Sequence, residues 1–471
     1  MSQAVVSKDV VVIGGGISGL ATAYRLQQQG LDVLLVEISD RVGGSIQTEV
    51  HDGFLVDCGP NSTLDTSPEI GTFIDQLGLS SSRLYANEKA SRRYILRGGR
   101  LRPLPMKPPA FLASDLFSMR AKLRLLREPF IAPASGSDDE SLASFVHRRL
   151  GQEFLDYAVN PFTAGVYAGD PARLSVQSAF KKLYDLEQNY GSLIKGAIKG
   201  AKERKKRAEV AKDRARLFSF RRGMVELIER LSSEIGDKIS TRTTVSQIEP
   251  LGEAGNRFSI YLTTDGRERK VRSSSVVVAT PAYVAAELVE RMDPKLAVVL
   301  NQIAYPPVAV VFLGFKNDFK SRPLDGFGFL VPEVEHRRIL GTIWNSTIFP
   351  GRVPDGGAAL TTFVGGMRQP EIAEKEDEEV VRIVTDELAD IMGLSGTPTV
   401  VRVKRWRRAI PQYEIGHAKR LAAIEAFEKK TPGFFISGNY RGGISVGDCI
   451  VASLAMSERV ESYCKEVTCH E

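Results

Sequence analysis

The stretch DVVVIGGGISGL, residues 9–20, limits the fold more than any other part of the chain. Four consecutive β-branched residues, Val10 to Ile13, leave no polar face, so the strand they form must be covered on both sides, as in a parallel sheet between helices. The run breaks into Gly14, Gly15 and Gly16, resumes as the amphipathic helix LATAYRLQQQG, and is followed by a second apolar strand, LDVLLVE. Gly14, Gly16 and Gly19 keep G-x-G-x-x-G spacing, and Glu37 ends the second strand 23 residues after Gly14. Each position has a mechanical reason: a tight turn, backbone brought close to a pyrophosphate at a helix N-terminus, close helix–strand packing, and a carboxylate for ribose hydroxyls. The unit is a dinucleotide-binding one.

A carboxylate at Glu37 repels a 2′-phosphate and so disfavours NADP. The following ISDRVGGSIQT adds Arg41, Gly43 and Gly44. They form either an ordinary surface turn or the further donor and close backbone that the longer pyrophosphate path of a flavin dinucleotide needs, and the preceding motif favours the flavin. The same architecture recurs downstream. SSSVVVATPAYVAAEL (273–288) reads as a buried strand ending at Thr280-Pro281, then a helix. TPGFFISGNYRGGISVGDCIVASLAM (431–456) reads as a strand, a glycine-rich turn and a helix opening near Gly447 or Asp448, whose backbone N–H groups are expected to face the cofactor. Between them, 304–314, 326–331, 339–344 and 358–366 predict strands of a second sheet, and helices dominate 110–215. Within that span PPAFLASDLFSMRAKLRLLREPF interleaves apolar residues with Arg120, Lys122, Arg124 and Arg127. A helix of this kind lies on a membrane surface or, as is more usual, packs its stripe on its own core.

At 471 residues the chain is expected to make two or three units, and 43% hydrophobic with 25% charged residues is ordinary folded composition. Its four cysteines (58, 449, 464, 469) lack C-x-x-C spacing and its five histidines are scattered, so neither a disulfide framework nor a metal site is expected. No uninterrupted apolar run reaches spanning length and the N-terminus has no signal-peptide pattern, which reads as a cytosolic chain. The net charge of +6 belongs to one segment: Lys195–Arg222 carries 12 Lys/Arg against 3 Asp/Glu, which leaves −3 for the rest. That suits a patch facing anionic lipid or an acidic partner, or a solvated basic loop, better than a protein built to hold nucleic acid.

Four blocks, IGGGISGLATAY with VEISDRVGG, DGFLVDCGPNS, GVYAGDPARLSVQSAF, and IPQYEIGH with GNYRGGISVGDCI, resemble the protoporphyrinogen oxidase family of haem and chlorophyll biosynthesis, within the amine-oxidase-like flavoproteins. They run in the family's order across nearly the whole chain. The resemblance implies an α/β fold, α+β overall, with a doubly wound FAD domain assembled from discontinuous segments (1–90, 217–284, 404–471). It also implies a mixed-sheet substrate domain (91–108, 285–403) and a helical membrane-binding domain (109–216). The implied activity is FAD-dependent, peroxide-producing oxidation of protoporphyrinogen IX to protoporphyrin IX, with coproporphyrinogen III as the alternative substrate. The plant-like GNYRGGISVGDC and LEQNYGS lean toward the former. An O2 or quinone acceptor and peripheral attachment to the cytoplasmic face of a membrane go with it. Contact with the next haem-pathway enzyme and a homodimer stay open.

By the same resemblance, FAD contacts fall on Gly14, Gly15, Gly16, Ile17, Ser18, Gly19, Glu37, Ile38, Arg41, Gly43 and Gly44. Others fall on Gly59, Pro60, Asn61 and Ser62, on Val245 beside the adenine, on Thr280, on Trp406 near the ring, and on Gly438, Asn439, Ile444, Ser445 and Val446. Substrate contacts fall on Arg93 for a propionate (Arg92 if the register is off by one), on Phe327 and Leu330 as a pair sandwiching the macrocycle, on Phe363, and on Gly169, where a side chain would obstruct it. No acid–base residue or metal is implied, because the hard chemistry belongs to the flavin. Flavin amine oxidases share the first block, but some attach FAD to a cysteine upstream of the last glycine run, and this chain has none between Cys58 and Cys449. Non-covalent FAD is expected. A carotene desaturase offers no reason for a propionate cation, and a flavin-binding scaffold without turnover is the reading from another class.

Overall fold

The computed structural model describes residues 6–134, 139–207, 215–251 and 257–469. Its first sheet has the strand order 239–240, Val33–Val36, Val6–Ile13, Arg267–Val278, and then both Phe258–Thr264 and Phe434–Ile436 on the far side of the long strand, with Thr243–Pro250 at the edge. The first four strands and Phe434–Ile436 are parallel. The uniform VVVI run is explained by where its side chains go. Val10 and Val12 enter one apolar cluster with the helices Ile17–Gln28, Val225–Ile235 and Val446–Cys469. Val11 and Ile13 enter another with Ala282–Val289, Pro294–Asn301 and His417–Lys430. The sheet is therefore doubly wound, as expected, and its strands come from the beginning, middle and end of the chain.

The second sheet runs Val400–Trp406, Val308–Phe315, Ala358–Gly365, Gly341–Trp344, Gly328–Leu330, Arg93–Arg97, Arg100–Pro103. It is mixed, since Gly328–Leu330 pairs parallel with Arg93–Arg97 and every other neighbour is antiparallel. One face carries Tyr94, Phe329, Trp344, Leu360 and Val311, which pack with Val380, Ile383, Val384 and Leu388 of the helix Asp377–Met392. Two expected domain limits fall inside elements. The break at 284/285 lies within Ala282–Val289, whose buried Ala285, Ala286 and Val289 pack on the first sheet together with the helix after it. The break at 403/404 lies within Val400–Trp406, because Trp406 still pairs with Val308. A change in composition marks a change of surface, whereas an element ends where its packing ends.

Helices between Pro108 and Arg207 share a further apolar cluster, which also takes in Ile95 and Leu330 of the second sheet. PPAFLASDLFSMRAKLRLLREPF is not one helix: Pro108–Ala113 and Met119–Leu126 are separated by a turn that buries Leu116 and Phe117. Its stripe does not pack on its own core either. Met119, Leu123 and Leu126, at i, i+4 and i+7, are 66%, 56% and 66% exposed, while Lys122 is buried and donates to the Leu112 and Ser114 carbonyls at 2.8 and 2.7 Å. Buried Arg149 lies between Glu128 and Glu187, and Glu128 also accepts from Ser192 Oγ, Leu193 N and Ile194 N, capping the helix Leu193–Arg207. The start of the basic run is thereby anchored. Residues 208–214 of that run lie outside the described residues.

Candidate active site

The parallel strands of the first sheet end together at Ile13, Val36, Val278 and Ile436, and their outgoing turns line one groove. Gly14 has φ +107°, and a Cβ there would stand 2.8 Å from the Ala279 carbonyl oxygen; one at Gly19 would stand 1.9 Å from the Gly14 carbonyl oxygen. Nothing lies within 4 Å of a Cβ at Gly16, and no side chain caps the helix that Gly16 opens with Ile17 and Ser18. A closely packed turn under an uncapped helix N-terminus suits a pyrophosphate. Glu37 accepts from Gly15 N at 2.6 Å and from Ser39 N at 2.9 Å, beside Ile38, which is 68% exposed. Arg41 donates to the Val42 and Gly44 carbonyls, so its guanidinium braces its own turn, and a Cβ at Gly44 would stand 3.3 Å from Gly16 Cα. Gly43 packs on Ile228.

Three further segments close the groove. Gly59 approaches the Ser45 carbonyl so closely that a Cβ would be 2.0 Å from its oxygen, and Pro60, Asn61 and Ser62 follow it, with Ser62 Oγ donating to Asn61 Oδ1. Thr243 N donates to the Glu37 carbonyl at 2.9 Å and brings the edge strand alongside Glu37; a bulge falls at Val245. Gly438, at φ +146°, would set a Cβ 3.1 Å from the Thr280 carbonyl oxygen, so this last glycine run starts where the first one lies. The N-terminus of the last helix is not free as expected. Gly447 N donates to Thr63 Oγ1 at 2.9 Å and Asp448 N to Ser445 Oγ at 3.1 Å, which leaves Gly438 to Val446 as the groove's wall.

On the second sheet, the register decides which side chains share a face. Directly paired residues point the same way, and so do residues two apart along a strand. One row is Ile95, Leu330, Gly341, Phe363, Val310 and Lys404; the next holds Arg93, Gly328, Ile343, Thr361 and Phe312. Arg93, Leu330, Phe363 and Trp406 therefore lie on the face opposite the Asp377–Met392 helix. Phe327 joins them through Gly328, whose φ of +138° breaks the alternation and brings Phe327 beside Ile343, under the Arg93 guanidinium at 5.6 Å. Phe327 and Leu330 enter different apolar clusters: Phe327 packs with Ile348 and Phe349, Leu330 with Ile95 and Tyr167, and Phe363 with Ala164, Ala168 and Trp406.

The two neighbouring arginines differ in their charge partners. Arg92 is exposed and paired with Asp325 at 2.9 Å. Arg93 has no ion-pair partner among the described residues, and crowding by surrounding protein holds its pKa below the ordinary arginine value although its surface is accessible. Gly169 is buried, and the place of its side chain is filled by Gln412 Oε1 at 2.6 Å, so packing explains the glycine and open space for a ligand does not. The glycine that meets this face is Gly165, where a Cβ would stand 2.5 Å from Leu330 Cδ2; Phe162 and Val166, exposed by 45% and 39%, share its helix face. Their i, i+3, i+4 spacing in NPFTAGVY is the signal that sequence reading passed over. Trp406 joins the two halves, donating from Nε1 to the Cys58 carbonyl at 2.9 Å, one residue before Gly59. Cys58 and Cys449 are free and buried, and desolvation pushes their thiols up to about 11 and about 12, so both stay protonated and poorly nucleophilic.

Comparison with known proteins agrees with this geometry. Residues 17–460 match the family model described as flavin containing amine oxidoreductase. The chain is 33% identical to protoporphyrinogen oxidase 2, chloroplastic/mitochondrial, of Arabidopsis thaliana over 98% of its own length and 95% of that protein's. It is 30% identical to the coproporphyrinogen III oxidase of Bacillus subtilis (strain 168), over 94% and 96% of the two chains. A solved structure from Exiguobacterium sp. 255-15, named for protoporphyrinogen oxidase, superposes with a TM-score of 0.80 at 25% identity, covering 98% of this chain and all of that one.

Proposed function

The chain belongs to the flavin-containing amine oxidoreductases, and within that family of oxidoreductases we propose that it oxidises protoporphyrinogen IX to protoporphyrin IX. Its cofactor is FAD, held without a covalent bond by the groove from Gly14 to Gly44, Gly59 to Ser62, Val245, Thr280 and Gly438 to Val446. The observation that carries the reading is Arg93: a guanidinium without an ion-pair partner among the described residues, on the sheet face that also carries Leu330 and Phe363 and that Trp406 ties to the Gly59 turn. A porphyrinogen is a broad apolar ring with carboxylates at one edge, which is the complement of such a surface. Similarity to the plant enzymes named for protoporphyrinogen supports the choice over coproporphyrinogen III.

When bound, FAD supplies the two-electron hydride acceptor, so three rounds remove six electrons and six protons, with O2 leaving as H2O2 or a quinone carrying the electrons instead. The chain's own part is positional. Arg93 fixes a propionate by a charge-assisted bond. Leu330, Phe363, Phe162 and Val166 grip the ring and keep water from the carbon that loses hydride, and the pyrrole N–H protons pass to solvent. Peripheral attachment to the cytoplasmic face of a membrane is part of the proposal, through Leu112, Met119, Leu123, Leu126 and Phe130, all more than half exposed beside Arg120, Arg124 and Arg127. No helix among the described residues is long and apolar enough to cross a bilayer.

The deciding measurement compares kcat/KM for the two porphyrinogens. A preference of about tenfold or more for protoporphyrinogen IX is expected, and a strong preference for coproporphyrinogen III would overturn the substrate. Flavin that stays oxidised when either is added anaerobically would overturn the enzyme.

A further inference from the structure

The block IPQYEIGH marks the family resemblance, yet none of its side chains belongs to the site as drawn above. In the fold it lies between the substrate-side helix Asn160–Tyr167 and the flavin-side run Gly438–Val446, and three of its side chains reach to one or the other. Gln412, 1% exposed, donates from Nε2 to the Tyr167 carbonyl at 2.8 Å, at the end of the helix that presents Phe162, Gly165 and Val166. Tyr413, 5% exposed, uses its hydroxyl twice: it donates to the Asn439 carbonyl at 2.7 Å and accepts from Gly443 N at 3.1 Å, spanning the glycine turn. His417, fully buried, stacks on the Tyr413 ring at 4.3 Å and 12°, with Nε2 2.9 Å from the Tyr440 carbonyl oxygen. That acceptor requires the proton on Nε2, and burial keeps the ring neutral by lowering its pKa to about 4. The Tyr413 ring also meets the edge of Tyr167 at 6.1 Å and 63°.

We infer that Gln412, Tyr413 and His417 are positioning residues that set the distance between the porphyrinogen-gripping helix and the flavin-lining glycine run. This rests on the assignment of those two walls proposed above. The chemistry singles out these residue types. A turn whose carbonyl and N–H sit at opposite ends is pinned by a group that donates and accepts at one oxygen, which a tyrosine hydroxyl does and a phenylalanine cannot. Gly438, Gly442 and Gly443, at φ +146°, +99° and +131°, contribute no side chains to fix the turn, and Arg441 ties it outward, to Glu428 at 2.6 Å and the Ile436 carbonyl at 2.7 Å, rather than across to the substrate side. Hydride transfer needs the reacting atoms within a few tenths of an ångström of one geometry, so the two walls must be tied to each other as well as to their own sheets.

The test uses the full-length holoenzyme with two variants that keep volume. Tyr413→Phe retains the ring stack and loses only the hydroxyl; Gln412→Leu releases the helix end, together with a local bond to the Ile410 carbonyl. For Tyr413→Phe the FAD dissociation constant, read from flavin fluorescence released on dilution, is expected to rise about tenfold, and the visible circular dichroism of the bound flavin to change. KM for the porphyrinogen should stay within about twofold. For Gln412→Leu the reverse split is expected: FAD affinity within about twofold of the parent, and the anaerobic rate of flavin reduction at saturating porphyrinogen lowered about tenfold. If both variants lower only the melting temperature and leave FAD affinity, flavin dichroism and the reduction rate within twofold, the block is packing and the inference falls. If the parent enzyme reduces no flavin with any porphyrinogen, the functional reading fails, while FAD affinity and dichroism of Tyr413→Phe still decide whether Tyr413 positions the glycine run.

Discussion

On the side assigned to flavin the chain offers backbone: Gly14, Gly59 and Gly438 come so close to the Ala279, Ser45 and Thr280 carbonyls that a Cβ has little or no room. On the side assigned to substrate it offers side chains. Arg93, Leu330 and Phe363 stand on three different strands and share a face only because of how those strands are aligned. The first kind of surface is written in a few consecutive residues. The second exists only once residues more than 200 apart have been brought into register, and a slip of one residue would turn it over. A surface made of backbone tolerates almost no change but needs no partner strand, whereas one made of side chains can be retuned residue by residue.

The comparison can be broken in three places, taken from the largest effect down. Gly14→Val adds a β-branched side chain at φ +107° against the Ala279 backbone and should cost about 3–5 kcal/mol. The purified variant is expected to lack flavin and to melt earlier; normal flavin content would mean that the backbone wall is less rigid than argued. At the seam, burial holds His417 neutral, with Arg420 pushing the same way and the Tyr440 carbonyl and Asp139 opposing. Its folded pKa of about 4 lies below the ordinary 6.5, so between those values the unfolded chain takes up the proton and the folded one does not. This contribution to stability is complete above pH 6.5 and is lost as pH falls toward 4, about 3 kcal/mol in all. Denaturant unfolding across that window should show the loss, and His417→Asn should flatten it; an unchanged slope would place the titration elsewhere.

The smallest effect bears on the substrate side alone. Arg93→Ala should lower kcat/KM about 10- to 100-fold with flavin content unchanged, whereas Arg92→Ala, removing an exposed guanidinium already paired with Asp325, should stay within about twofold. Equal losses for the two would mean that the pairing seen at Asp325 does not separate their roles.

The same contrast explains what could be read in advance. The doubly wound sheet, its order of segments and the groove glycines follow from short patterns, because a continuous apolar run and a G-x-G-x-x-G turn constrain their own surroundings. Strand positions in the second sheet were legible as well. Their register was not, and neither was the cluster that each of Phe327 and Leu330 packs in. Gly169 was read as clearing space for the macrocycle, whereas Gln412 fills the place of its side chain: a glycine in a sequence motif does not announce whether its missing side chain makes room for a ligand or for a neighbouring residue. For the segment around Arg120 the sequence left two readings open, membrane surface or own core, because periodicity marks an apolar face without saying what covers it; Met119, Leu123 and Leu126 are exposed. Gln412 and Tyr413 escaped notice as working parts because their partners are main-chain atoms of distant segments.

The strand Arg267–Val278 pairs with Val6–Ile13 on one side and, through Val276–Val278, with Phe434–Ile436 on the other. During synthesis the first of these partners must wait for more than half of the chain, and the second for nearly all of it. The face of Val11 and Ile13, whose covering helices all follow residue 281, is exposed in the meantime, a hazard that contact of such long range carries with it. The groove gains its last wall only with Gly438 to Val446, so flavin uptake is a late event of biogenesis, and any nascent chain cut short of that run leaves a half-built sheet for chaperones and proteases to sort.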